Sequence, residues 1–508
     1  MQLSRQHLGS ISADTVSVPE AALFELPEKV LQFGTGVLLR GLPGYFIHKA
    51  NRQGLFNGRI VVVKSTARGD TSAFDRQDGL FTLCVRGRYQ GRDEEELVIN
   101  SAISRVLNAS HQWKDVLACA HNPALQVVLS NTTEVGIQLV REDIRQEPPA
   151  SFPAKLLAFL YERFRAFGGS AESGLVIVPT ELIPENGDQL KAIVTELCRF
   201  NHLEPAFAEW LEQNNRFCNS LVDRIVPGKP DDSLRAELEA RLGYTDELLT
   251  VSEAYRLWAI EGDEAVRRVL SFAAADSGVR IEPDIHRYRE LKLRLLNGTH
   301  TLSCGLAYLA GCTTVRAAMN NEPLSAFISR LMLGELAPAI PYPVDAAEAR
   351  AFGLEVLDRF RNPHIHHLWI NITVQYSSKM KMRCVPVLLR HYSQTDTVPE
   401  AVALGFAAYL WFMKAERAQD GTYYGTHAGR PYPIQDDLAP VFYRRWQQGN
   451  GAAVVHATVQ DTEFWGHDLS GLPGFAATVL ARLEAIQSRG MPAVLREWFG
   501  GTQDAGVQ

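Results

Sequence analysis

The stretch from residue 30 to residue 64 constrains the fold most. Val30-Leu-Gln-Phe33 reads as a short buried strand, Gly34-Thr-Gly36 as a tight turn, and residues 37–52 carry apolar side chains at helical spacing. A second strand follows, Arg59-Ile-Val-Val-Val-Lys64, with a continuously apolar centre. A strand apolar on both faces needs cover on both, as in a parallel sheet clothed by helices. In that setting the first glycine permits the turn and the second lets the backbone approach a pyrophosphate. The start of the helix then offers N–H groups and a favourable dipole. The pattern is incomplete: Leu39 stands where a third glycine belongs, and Lys64 where a carboxylate would hold the ribose. A plain structural turn is the competing reading. The strand–turn–helix context favours a dinucleotide site, with Phe33, Gly34, Thr35, Gly36, Val37, Leu38 and Lys64 as candidate cofactor residues. Lys64 and Arg68 suit a 2′-phosphate or simply the adenosine edge, so NAD and NADP both stay open.

Alternation of strand and helix continues beyond this unit. Strands are predicted near residues 79–86, 96–100, 125–130 and 174–179, and helices over 109–121, 153–167 and 187–201. After residue 230 strand signals become rare. Helices are predicted over 232–242, 251–261, 263–275, 288–309, 322–337, 345–361, 398–416, 434–448 and 475–498, with loops at 338–343 and 419–433. The expected fold is an α/β, Rossmann-like dinucleotide-binding domain over residues 1–283 and a mainly α-helical substrate domain over 284–508.

A 508-residue chain that is 46% hydrophobic can bury two such cores. Its net charge of −7 argues against a nucleic-acid partner. No apolar run is long enough for a membrane span, and the first residues lack the apolar core of a signal peptide. Seven scattered cysteines form no Cys-x-x-Cys pair and read as reduced thiols, so a cytoplasmic enzyme is expected.

Chemistry concentrates in Tyr288-Arg-Glu-Leu-Lys-Leu-Arg-Leu-Leu-Asn-Gly-Thr-His300. At about 100° per residue, Lys292, His300 and Asn297 fall within one arc of roughly 140°, interleaved with Leu293 and Leu296. A lysine among leucines can trade a proton near neutrality. A neighbouring asparagine amide can donate to an oxygen gathering negative charge, and a histidine can orient a hydroxyl. Asn297-Gly298 is also a poor pair for a helix interior, a local conflict that functional sites tolerate. The alternative is a partly exposed helix with a snorkelling lysine and a hydrogen-bonded core histidine.

Several of these motifs together resemble the mannitol dehydrogenase (long-chain polyol dehydrogenase) family. They are Leu31-Gln-Phe-Gly-Thr-Gly-Val-Leu-Leu-Arg40, Gln77-Asp-Gly-Leu80, Ser130-Asn-Thr-Thr-Glu134, Val222-Asp-Arg-Ile-Val-Pro227, the Lys292/Asn297/His300 spacing and Ser377-Ser-Lys379. The resemblance implies a metal-independent, NAD-linked oxidoreductase with Lys292 as acid/base, Asn297 as oxyanion donor and His300 as substrate-orienting group. It places Asp223, Lys379 and Glu181 at the substrate, and Asn131, Thr132 and Glu134 at the cofactor. Thr and Glu capping of a strand-to-helix turn is the plainer reading of that last segment. Glu181 and Asn371 stand where polyol dehydrogenases carry asparagine and arginine, so the implied substrate is not a simple polyol. The Ser-Asn-Thr-Thr-Glu form resembles the branch that reduces tagaturonate more than the one that reduces fructuronate, which implies a keto sugar acid as the small-molecule partner.

Other features read more plainly. His364-x-His366-His367 is expected to be a surface or loop group rather than a metal site, and the acidic run 92–96 a solvated turn. Tyr423-Tyr424 belongs either to a plain surface loop or to a lid. Within the same class, reduction of fructuronate or oxidation of a polyol such as mannitol stays open, and two rivals from other classes remain: a metal-dependent sugar-acid isomerase or epimerase using those histidines, and a non-catalytic dinucleotide sensor. Dependence on NADH separates the first, and an intact Lys292, Asn297 and His300 set weighs against the second.

Overall fold

A computed structural model describes residues 1–66, 69–89, 91–132 and 136–499. The chain divides into two compact units, residues 1–87 with 93–285 and residues 88–92 with 286–508.

The first unit is built on a six-stranded sheet: β1 (Glu28–Phe33), β2 (Arg59–Lys64), β3 (Ile103–Asn108), β4 (Val127–Ser130), β5 (Val176–Pro179) and β6 (Arg216–Phe217). All its strand pairs are parallel and its spatial order is 3-2-1-4-5-6, the order of a dinucleotide-binding sheet. The fully buried β2 shows why its centre is apolar throughout. Helices Phe152–Ala166 and Asn186–Phe200 contribute to the apolar core beside Leu31, Val61 and Val128 of the sheet. Strand order reverses between β1 and β4, and the two turns that leave these strands are neighbours there. That switch point is where open α/β sheets bind ligands.

Three expectations change here. Residues 37–52 form two helices, Val37–Gly41 and Pro43–Arg52, broken at Leu42. Pro43 has no N–H to give and disfavours helical geometry in the residue before it. A five-residue helix carries little dipole, so the turn must act through its N–H groups and its open space. Residues 251–261 are not a helix but the strands Thr250–Ser252 and Leu257–Glu261. The second pairs antiparallel with Ser220–Asp223 and parallel with Val279–Glu282. The acidic run 92–96 opens a long strand, Arg92–Asn100, rather than a turn.

The second unit is mainly helical. Glu400–Phe412 is buried nearly all round and forms its centre, with the rings of Phe406, Tyr409 and Phe412 packed on Phe475, Tyr376 and Tyr432. Residues 419–433, expected as a loop, belong to a three-stranded antiparallel meander, Glu416–Arg417, Tyr423–His427 and Arg430–Pro433, and the helix expected to run to residue 416 ends at Phe412. Among the described residues no helix is long and apolar enough to cross a membrane.

Candidate active site

In the first unit, a cleft of about 520 Å³ opens at the switch point. Gly34, Thr35 and Gly36 line one wall, Lys64 to Thr66 a second, Asn131 and Thr132 a third, and the start of helix Phe152–Ala166 a fourth. The two glycines differ in purpose. Gly34 has φ of +123°, and a Cβ there would sit 2.7 Å from the Asn131 carbonyl oxygen, so only glycine fits. Gly36 has φ of −62°. A Cβ on Gly36 would meet only Asn131 Oδ1, at 4.0 Å. The protein itself leaves that space open, as a backbone that must approach a pyrophosphate requires. The cradle therefore fits a dinucleotide.

Of the other expected cofactor residues, Phe33 lies fully buried beneath the turn, 5.2 Å from the Phe152 ring, and supports rather than lines the cleft. Val37 and Leu38 follow the turn without lining the cleft. The buried Lys64 donates to the Thr66 carbonyl. Glu134 and Arg68 lie outside the described residues.

Glu181, expected at the substrate, is tied to the cofactor turn. One carboxylate oxygen accepts from the Thr132 N–H at 2.8 Å and the Thr132 hydroxyl at 2.9 Å, the other from Ser130 Oγ at 3.0 Å. A buried carboxylate with three donors sets the path of the chain leaving β4. Asp223 is buried at the end of its strand, opposite Leu257. The adjacent Arg224 is buried too, donating to the Glu253 and Gly41 carbonyls with its guanidinium 4.8 Å from the Tyr45 ring centre. Burial pushes its pKa down to about 10. Lys155 was missed in the sequence. It lines the cleft, donates to the Ala150 carbonyl at 2.6 Å, and is held below the usual lysine range by burial. A single lysine inside the apolar run Phe152–Leu160 was the available signal.

In the second unit, Lys292 and Asn297 are half-buried and His300 is buried on one continuous helix. Its central stretch, Lys292–Gly298, is π-wound rather than α-wound. Each residue there advances less around the axis, which draws Asn297 back toward Lys292 and narrows the arc set by α spacing. Such π segments recur at functional sites. Two more, Arg330–Leu336 and Met380–Cys384, pack against it.

The His300 ring stacks on Phe360 at 4.3 Å and meets the edges of His367 and Trp369 at 5.1 and 5.8 Å. Burial first, then the neighbouring His367, Arg359, Arg383 and Lys379, holds its pKa well below the usual histidine range. It is therefore neutral, and its buried Nε2 has no hydrogen-bond partner in the protein. His367 thus belongs beside His300, while His364 and His366 are exposed. Among the described residues no three metal-ligating side chains come together. Lys379 is half-buried and donates to the Ile372 carbonyl at 2.9 Å, and burial lowers its pKa. Arg383, also missed in the sequence, reaches Thr301 Oγ1 at 3.2 Å.

The chain matches the mannitol dehydrogenase Rossmann domain over residues 28–272 and the mannitol dehydrogenase C-terminal domain over residues 284–487. It is 38% identical over 476 residues to an altronate oxidoreductase of Halalkalibacterium halodurans, covering 92% of each chain. The chain belongs to the mannitol dehydrogenase family. An altronate oxidoreductase of Bacillus subtilis is 35% identical over 479 residues, with 93% of this chain and 96% of that one covered. Two solved structures share the fold. Pseudomonas fluorescens mannitol 2-dehydrogenase, in ternary complex with NAD and D-mannitol, aligns with a TM-score of 0.67 at 22% identity, covering 99% of this chain and 100% of that one. A D-sorbitol dehydrogenase aligns with a TM-score of 0.77 at 20% identity, covering 97% and 100%. Membership makes this family protein an oxidoreductase acting on CH–OH groups, with a Rossmann unit of the kind that binds a nicotinamide dinucleotide.

Proposed function

We propose that the protein reduces the keto group of a hexuronate-derived sugar acid with NADH, reversibly, with tagaturonate and altronate as the substrate pair. The observation that carries this reading is the match, over nine-tenths of both chains, to relatives named altronate oxidoreductase.

A nicotinamide dinucleotide, when bound, would supply the hydride in reduction and accept it in oxidation. Gly34, Thr35 and Gly36 would hold its phosphates, in the cleft that Lys64, Asn131 and Thr132 also line. Lys292, as its ammonium ion, gives a proton to the carbonyl oxygen as the C–H bond forms, and as the free amine takes it back from the hydroxyl in the reverse direction. The Asn297 amide donates to the same oxygen, where charge stabilisation counts most. The neutral His300 offers the substrate a nitrogen that the protein leaves unpaired. Asp223 contributes a carboxylate acceptor for sugar hydroxyls, and Glu181 acts by positioning Thr132.

The test is NADH oxidation by the purified protein with tagaturonate, fructuronate and fructose in parallel, repeated with NADPH. Tagaturonate with NADH is expected to give the highest kcat/KM. A preference for fructose would overturn the acid reading, and a preference for NADPH the choice of cofactor.

A further inference from the structure

Arg383 stands in an unusual position for a guanidinium. Its Nη1 donates to Thr301 Oγ1 at 3.2 Å, and the Thr301 hydroxyl in turn donates to the Asn297 carbonyl at 2.8 Å. The guanidinium is thus docked on the helical turn that carries Asn297 and His300. Its own peptide is clamped from the same helix, because Arg294 Nη1 donates to the carbonyls of Met382 and Arg383 at 2.6 and 3.1 Å.

Carboxylates are present in the surrounding segments, but each is engaged elsewhere. Glu290 pairs with Arg294 at 2.9 Å. Asp436 accepts the backbone N–H groups of Ser377 and Leu438 at 2.7 and 2.8 Å. Glu335 accepts those of Ala401 and Val402, both at 2.9 Å. Among the described residues neither Arg383 nor Lys379 has a carboxylate within ion-pair distance. Burial lowers the pKa of both groups, and the nearby Arg383 lowers that of Lys379 further against a smaller opposing pull from Asp436, which marks two neighbouring cations drawn partly out of water with no carboxylate in ion-pair contact. Lys381 does not join them, since its ammonium lies 5.3 Å from the centre of the Phe464 ring.

Removing a cation from water without a partner is costly, and an incoming anion recovers that cost. A guanidinium presents two parallel N–H donors that match the two oxygens of a carboxylate, whereas an ammonium supplies a point charge. We propose that Arg383, with Lys379 four residues before it, binds the substrate carboxylate and so selects a sugar acid over the neutral ketose of the same skeleton. This deepens the keto-acid reading above and rests on it.

The test compares tagaturonate with tagatose at saturating NADH, in the wild type, Arg383→Met and Arg383→Lys. The readout is the ratio of kcat/KM for acid over ketose, with NADH affinity and circular dichroism as folding controls. Loss of a charge-assisted contact predicts at least a roughly tenfold fall of that ratio in Arg383→Met, carried mainly by a higher KM for the acid. Arg383→Lys, which keeps the charge but not the fork, should fall between the two. A folded Arg383→Met that keeps the wild-type ratio overturns the assignment of Arg383 while leaving the keto-acid reading in place. If Arg383→Met does not fold, an undiminished ratio in Arg383→Lys overturns the assignment and a reduced one supports it. A wild type with no preference for the acid overturns both readings.

Discussion

The two glycines of the cofactor turn should fail in opposite ways when a methyl group is added. At Gly34, alanine must adopt φ of +123° and place its Cβ 2.7 Å from the Asn131 carbonyl oxygen. That carbonyl has little room to retreat, because Asn131 donates its backbone N–H to Phe33 and its side-chain amide to Thr180. Backbone strain of about 1–3 kcal/mol and overpacking of similar size together predict a loss of roughly 2–6 kcal/mol for Gly34→Ala. At Gly36 the backbone already suits alanine, and the nearest atom to the new Cβ is 4.0 Å away. Stability of Gly36→Ala should stay within about 0.5 kcal/mol of wild type, while NADH affinity falls at least roughly tenfold because the methyl takes the space of the pyrophosphate. Urea denaturation followed by tryptophan fluorescence reads the first effect, and NADH fluorescence titration the second. Wild-type NADH affinity in Gly36→Ala would refute the phosphate-turn assignment, and wild-type stability in Gly34→Ala would refute the steric argument.

Lys292→Ala should lower turnover at least roughly 100-fold, as loss of a general acid/base does, with NADH affinity retained; near-normal turnover in stopped-flow NADH oxidation would remove its assigned role. Glu181→Gln replaces one acceptor of the Ser130 and Thr132 donors with an amide N–H, so it should cost about 1–3 kcal/mol and raise the KM for NADH. Unchanged stability and KM would show that this carboxylate does not hold the turn. Burial pushes the pKa of His48 from 6.5 down to about 3, so the folded protein resists a proton that the unfolded chain accepts. Stability should therefore fall as pH drops below 6.5, by up to about 2 kcal/mol from this residue between pH 6.5 and 5. Urea midpoints across that range should decline less steeply in His48→Gln, and an identical slope would count against the buried neutral ring.

Local patterns were legible in the amino-acid sequence. Four apolar residues in a row, Ile60–Val63, demanded a strand covered on both faces, and the six-stranded parallel sheet provides that cover. The discord of Asn297-Gly298 within an apolar helix marked the stretch that is π-wound. Tertiary structure decided the rest, because pairing partners and packing leave no local period. Residues 251–261 could not be told from a helix, since a short apolar run becomes a strand only beside Ser220–Asp223 and Val279–Glu282. The π-wound stretch lies against two other π segments, a packing between distant parts of the chain. Glu181 looked like a substrate residue, yet it lies across a strand pair from Ser130 and Thr132 and binds them. Arg383 carried no motif, and His367 stood only in a histidine cluster that read as a surface or loop group. They gained meaning only when the fold set one beside Thr301 and the other against His300, contacts between residues 82 and 67 positions apart in the chain. Hydrophobic period and turn chemistry are local quantities, whereas the surroundings of a charge are set by residues remote in sequence, and only folding brings those together.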